Sequence, residues 1–280
     1  CCYARWIRTR PFNMLHSATV LNLMALATLL PATFLGLRSE PQRDSFLWFA
    51  VIAALVGPTL WVVTSFTPAW RTDFGAALWV TISATMALYL LIMAIEDESW
   101  RLIPILAPAV LILGILATVW TSHEEAKLLG HVPGALVVVH IFVSVVTYGL
   151  VTIAAVAALV ALLQERALKT KQPTQLTQTL PAVTTCDRLM VRFLSGGEVV
   201  LGVGLMSGMA LRFADTGTVM TLDHKTILTV TAFVLMGAVL LMHFRIGLRG
   251  RRAARWALAA YLLLTLGYPG VKFVTDVLIG

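Results

Sequence analysis

Residues His131 to Lys169 read "HVPGALVVVHIFVSVVTYGLVTIAAVAALVALLQERALK". From Ala135 to Leu163 the stretch is almost wholly apolar, and a helix needs only about 20 such residues to cross hydrocarbon. One ionisable side chain interrupts it, His140. A run of this length and composition predicts a membrane-spanning helix. It also changes the solvent in which the rest of the chain must be read. Lipid offers no partner for backbone N–H and C=O groups, so only helices and closed barrels can span it.

Composition extends the same reading along the whole chain. Of 280 residues, 59% are hydrophobic and 12% charged, against about 25% charged in a soluble domain. The mean hydropathy is +0.86. The net charge of +7 fits Lys and Arg holding cytoplasmic loops in place. No soluble basic face is long enough for nucleic acid, so the expected partner surface is the lipid bilayer. Cys1, Cys2 and Cys186 form no CxxC and no metal-ligand spacing, so neither a disulfide framework nor a zinc site is supported. Residues 1–13 are basic and patternless, whereas Met14 opens an apolar run. The expectation is a non-native upstream segment over 1–13 and a single membrane domain over 14–280.

Eight apolar runs can be counted, roughly 15–37, 46–66, 74–95, 101–121, 135–163, 192–213, 225–246 and 253–279. The predicted fold class is therefore all-α, a polytopic membrane protein with about eight transmembrane helices. Trp48, Trp61, Trp70, Trp100, Trp120 and Trp256 lie near run ends, where an aromatic belt places them. Pro58, Pro104, Pro108 and Pro269 lie inside runs and are expected to kink them. Loop 164–191 carries Arg166, Lys169, Lys171 and Arg188, and loop 245–252 carries Arg245, Arg249, Arg251 and Arg252. Both are expected in the cytoplasm, with 67–73, 122–134 and 214–224 outside. The Pro, Thr and Gln content of 164–191 predicts a flexible tether.

An ionisable residue inside a span is costly and ordinarily faces the bundle interior. His140 lies about 9 Å into its span from the outer side, and His243 roughly 28 Å from the outer end of its own. Neutral imidazole is a common ligand for haem iron and other transition metals. The plainer alternative is a histidine bonded to a neighbouring helix, with no metal. At these depths one iron cannot take both, so any metal sites are separate. Ser144 and Tyr148 follow His140 at i+4 and i+8, which predicts one polar stripe lining a cavity. Glu198, mid-run in "SGGEVVLGVGLMSGM", has three readings: a partner of Arg192 or His243, a cavity-lining group, or a protonated side chain against lipid. Asp223 and His224 in "LDHKT" open the next span, with Asp223 as helix cap. His123, Glu124, Glu125 and His131 cluster in an outer loop, and Lys272 and Asp276 are spaced to neutralise each other. No Walker, GxSxG or HExxH motif is present and no carboxylates are paired for catalysis, so no enzymatic step is expected.

The histidine-led span, with His140, Ser144, Tyr148 and Gly149, resembles that of the cytochrome c assembly superfamily, which includes CcsA, CcmC and HemX. The C-terminal block resembles it too. Asp223, Lys225 and Thr226 match an Asp-Pro-Lys-Glu-Thr-like segment, His243 a histidine near the inner end of the next span, and Tyr268 and Gly270 the last helix. The "GLRGRR" run and the eight-span layout are most similar to the YpjD/HemX-like branch. The resemblance implies an integral membrane protein of the bacterial inner membrane that binds or handles haem as an accessory to cytochrome c biogenesis, with haem or haem-biogenesis proteins as partners. It implies His140 as an outer haem ligand and His243 as a transmembrane one. A HemX-like regulatory scaffold without haem, and a subunit of an ion-transport system, are the alternatives.

Three departures bear on that implication. The family's tryptophan-rich external segment corresponds here to "ADTGTVMTLDHKT", which has no Trp. A second external histidine would fall near Asp276 to Gly280, and a second transmembrane one near Gly57 and Pro58; neither is present. Each candidate ligand therefore lacks its family partner. Any haem bound is expected to have one histidine ligand.

Overall fold

Backbone groups that cannot bond to lipid must bond to one another, and each apolar run does so as a helix. The computed structural model describes residues 10–38, 42–66, 73–120, 134–218, 223–270 and 273–274. The first span is broken in two, α1 (Arg10–Ala27) and α2 (Leu30–Gly36). Pro31 sits in the first turn of α2, where its missing N–H costs nothing. Then come α3 (Ser45–Phe66), α4 (Phe74–Ile95), a 3-10 turn at Ser99–Leu102 and α5 (Ile103–Val119). The second half holds α6 (Ala135–Thr170), the short α7 (Gln175–Thr179), α8 (Val183–Thr216), α9 (His224–Ile246) and α10 (Arg251–Thr265), which ends in a π-helical turn at Leu266–Gly270.

Among the described residues seven helical segments are long and apolar enough to cross a membrane. The eighth run becomes α10 and its π turn. Beyond that turn Phe273 packs edge-on against Phe74 and Trp120, at the start of α4 and the end of α5. The last span therefore ends on the same side of the bundle as those two residues, and the polytopic all-α expectation holds.

The other side is tied together by charge. Arg43 meets Asp97 at 2.7 Å and donates to the Met93 carbonyl at 3.0 Å. Arg192 pairs with Glu96. Thr185 donates to Glu98 at 2.7 Å, and the Gly250 amide to Asp187 at 3.3 Å. Segments expected on the cytoplasmic side are thus neighbours in space.

Helix α6 is central. It packs against α4, α8 and α10, with its most extensive seam along α8. From Thr147 to Ala161 it buries Tyr148, Val151, Ile153, Val156 and Val160 among six alanines and glycines. Small side chains let neighbouring backbones approach, which drives association where water does not. Above Thr147, toward the N-terminus, α6 leaves the core and is exposed or half-buried.

Two expectations are corrected. Pro104 does not kink a span: it lies in the first turn of α5, where no helical bond is lost, while Pro58 and Pro108 are interior to α3 and α5. Segment 164–191 is not a loose tether. Helix α6 continues to Thr170, Thr174 and Thr177 form a capping box on α7, and α8 begins at Val183. The Gln164 amide donates to the carbonyls of Thr177, Leu180 and Pro181 at 2.8, 3.1 and 3.1 Å. Residues 1–9, the cluster His123, Glu124, Glu125 and His131, the Trp70 position and the Lys272 and Asp276 pair lie outside the described residues.

Candidate functional site

His140 stands in the second turn of α6, where that helix has left the core. Helix α8 is its neighbour there, and its backbone comes close because Gly208 has no side chain. A Cβ at Gly208 would lie 3.1 Å from Cε1 of the His140 ring. Beside it Ser207 places its Oγ 2.9 Å from His140 Nδ1. The ring is also hydrogen-bonded to the backbone of Gly204, one turn before Gly208. His140 lines a cleft of about 660 Å³ together with Val137, Gly208, Leu211, Arg212, Ala214 and Thr216. That volume falls within the roughly 300–1,000 Å³ of ordinary ligand pockets. The cleft combines apolar walls, one imidazole and one guanidinium.

At the rim, Asp223 caps α9. Its carboxylate accepts from the Thr226 amide at 2.7 Å and faces Arg212 at 3.7 Å. The Thr226 hydrogen bonds, and then the Arg212 and Lys225 cations, hold its carboxyl below the usual carboxylate range. His224 is the exposed first residue of α9.

The remaining candidates lie elsewhere. Ser144 is exposed and returns its hydroxyl to the His140 carbonyl at 2.7 Å. Tyr148 is buried on the face toward α10, where it donates to Thr265 at 2.8 Å and its ring stands 6.0 Å from that of Tyr261. At about 100° per residue, the positions i, i+4 and i+8 drift around the helix. Here that drift takes the three side chains to three environments rather than one continuous lining. Neither Ser144 nor Tyr148 lines the His140 cleft, and nor do Glu198, Asp223 and His224.

Glu198 is half-buried in the middle of α8, with Oε2 buried and unpartnered. Arg192 is taken by Glu96 and His243 by the Leu248 carbonyl, so neither reaches it. Ser195, one turn away, also buries a hydroxyl without a partner.

His243 sits in the last turn of α9. Its Nδ1 donates to the Leu248 carbonyl at 2.8 Å. Gly247, with φ of +70°, ends the helix in a left-handed closure, with Gly247 N–H donating to His243 O and Leu248 N–H to Met242 O. The ring braces that turn. It lies about 28 Å along α9 from the rim at His224, so the two histidines belong to separate places. At Gly57, the missing side chain makes room for Thr28 at the break between α1 and α2. Among the described residues no three His, Cys, Asp or Glu side chains converge on a metal position. Cys186 is buried, with its thiol on the Pro181 carbonyl at 3.5 Å.

Gly208 and Arg212 line the cleft without belonging to any motif of the sequence. Their signal was the recurrence of Gly204, Gly208 and Arg212 every four residues, the spacing of one helix face.

A family model described as cytochrome c assembly protein matches residues 15–279. An uncharacterized 28.8 kDa protein in the nifR3-like 5' region of Azospirillum brasilense is 45% identical over 268 residues, covering 96% of this chain and 99% of that protein. The inner membrane protein YpjD of Escherichia coli K12 is 29% identical over 197 residues, 70% of this chain and 73% of its own length. No solved structure matches.

Proposed function

Because this chain belongs to the cytochrome c assembly protein family, we propose that it is a multi-pass protein of the bacterial inner membrane that holds haem in the outer cleft through His140. The role is that of an accessory in cytochrome c biogenesis, with haem-biogenesis proteins as partners and no bond of the haem made or broken.

One observation carries this reading: a histidine that lines a cleft of ligand size, its Nδ1 held by Ser207 of the neighbouring helix. That is the arrangement in which histidine ligates a metal, since a hydrogen bond at one ring nitrogen orients the other. The residues fit haem with one histidine. His140 would hold the iron, Val137 and Leu211 would meet the apolar macrocycle, and Arg212 would pair with a carboxylate at the edge. Haem, when bound, supplies a redox-active iron. The protein's own part is to hold it, to shield one face and to neutralise its acidic edge. His243 is read as a brace of the α9 end, without haem.

The test is the absorption spectrum of the purified protein with added haem. A Soret band that His140→Ala abolishes and His243→Ala spares supports the proposal. Two bis-histidine haems per chain would contradict it, and absence of any band would leave a HemX-like scaffold. Glu198 favours a second reading, a subunit of an ion-transport system, because its unpartnered carboxyl lies mid-span. Ion flux into liposomes that Glu198→Gln removes would favour that reading instead.

A further inference from the structure

Two residues of α8, Ser207 and Gly208, lie against the His140 ring. A serine hydroxyl has one proton to give and two lone pairs to offer. The Ser207 hydroxyl is 2.9 Å from the Gly204 carbonyl one turn back, which can only accept. The proton therefore goes to Gly204, and the lone pairs of Ser207 face the ring. Nδ1 of His140, 2.9 Å away, must then be the donor. Neutral imidazole carries one proton, so Nε2 is left with its lone pair. Gly208 makes room for the Cε1 corner of the ring: a Cβ there would stand 3.1 Å from Cε1, 3.7 Å from Nδ1 and 3.8 Å from Nε2. The α8 backbone thus abuts the imidazole at Cε1.

We infer that Ser207 is the positioning residue of this site: by accepting the Nδ1 proton of His140, it holds the imidazole in the tautomer whose Nε2 opens into the cleft as a metal ligand. The ligand half of this inference rests on the haem reading above, and the tautomer half stands without it. The reverse assignment, with Ser207 donating to Nδ1, would put the proton on Nε2 and close it to iron. It would also take from Gly204 a hydrogen bond that the geometry provides. Loss of a partner behind a metal-binding histidine typically costs about 10–100-fold in affinity.

The experiment uses the purified full chain with ring-15N histidine and no haem. A two-bond nitrogen–proton correlation spectrum separates the two neutral tautomers, and the His140 signal is the one missing in His140→Ala. We expect wild type to show His140 protonated at Nδ1, Ser207→Ala to lose that preference, and Ser207→Thr to keep it. A wild-type ring protonated at Nε2 overturns the inference without any variant having to fold, and so does an unchanged tautomer in Ser207→Ala. Haem titration is the second arm. Affinity falling 10–100-fold in Ser207→Ala and recovering in Ser207→Thr supports the inference, and wild-type affinity in Ser207→Ala overturns it. If His140→Ala binds haem like wild type, the haem reading fails, while the tautomer spectrum still decides the role of Ser207.

Discussion

Glu198 on α8 lays its carboxyl in the space that Gly237 on α9 leaves by having no side chain; a Cβ there would come within 2.9 Å of Oε1. The other oxygen is buried without a partner. A buried polar atom left unpaired costs about 1–3 kcal/mol. Glu198→Met keeps the length of the side chain and removes that cost, so the variant should melt higher in detergent. Gly237→Ala should cost about 1 kcal/mol, because the carboxyl must move. In a Glu198→Ala background that penalty should vanish, giving a coupling of roughly 0.5 kcal/mol or more in a double-mutant cycle. Additive effects would show that the two groups do not touch.

The Gln164 amide closes the connector between α6 and α8 on three carbonyls. Gln164→Ala should free it. Trypsin cleavage after Lys169 and Lys171 should then accelerate several-fold, while the spans remain resistant. A net loss of about 1 kcal/mol per hydrogen bond sets the scale. An unchanged cleavage rate would return the segment to a loose tether.

Asp223 supplies a pH signature. Its carboxyl is held below the usual range by Thr226 and the nearby cations. A carboxyl with a folded value lower than its unfolded one stabilises the folded state above the unfolded value, and that contribution fades as pH falls through the folded one. The unfolded value is about 3.9. At pH 7 Asp223→Ala should therefore cost about 1 kcal/mol, the ordinary worth of a helix cap. The gap in melting temperature between variant and wild type should shrink below about pH 4. A gap that stays constant with pH would remove the charge from the explanation.

Sidedness follows from the arginines. Reporters fused at 170 and 248 should be active in the cytoplasm, and those at 128 and 218 in the periplasm. The ion pairs of Arg43 and Arg192 with Asp97 and Glu96 place those segments on one face. A reporter at 170 active only outside the cytoplasm would invert the topology.

The spans were legible because lipid imposes a length and an apolar composition that show in any window of the chain. The caps were legible for a related reason: Asp223 and Thr226 are three residues apart, so their bond is local. What escaped was everything that depends on a distant partner. Ser207 lies 67 residues from His140 and Thr265 lies 117 from Tyr148. No periodicity of α6 alone says which helix covers which of its faces. Gln164 looked like one polar residue at a helix end, since its three acceptors are backbone carbonyls that only a particular chain path brings within reach. Pro104 and Pro108 looked equivalent until the 3-10 turn set the start of α5 between their two roles.

Helices α6 and α8 are the two longest, and no proline interrupts either. From the Gln164 clamp to His140 is about 36 Å of continuous helix, longer than the roughly 30 Å of hydrocarbon it traverses. The pair acts as a gauge rod. A thicker or thinner bilayer can wet more or less of it without shortening it, so the height of the imidazole above the cytoplasmic anchorage is set by residue count and not by the lipid.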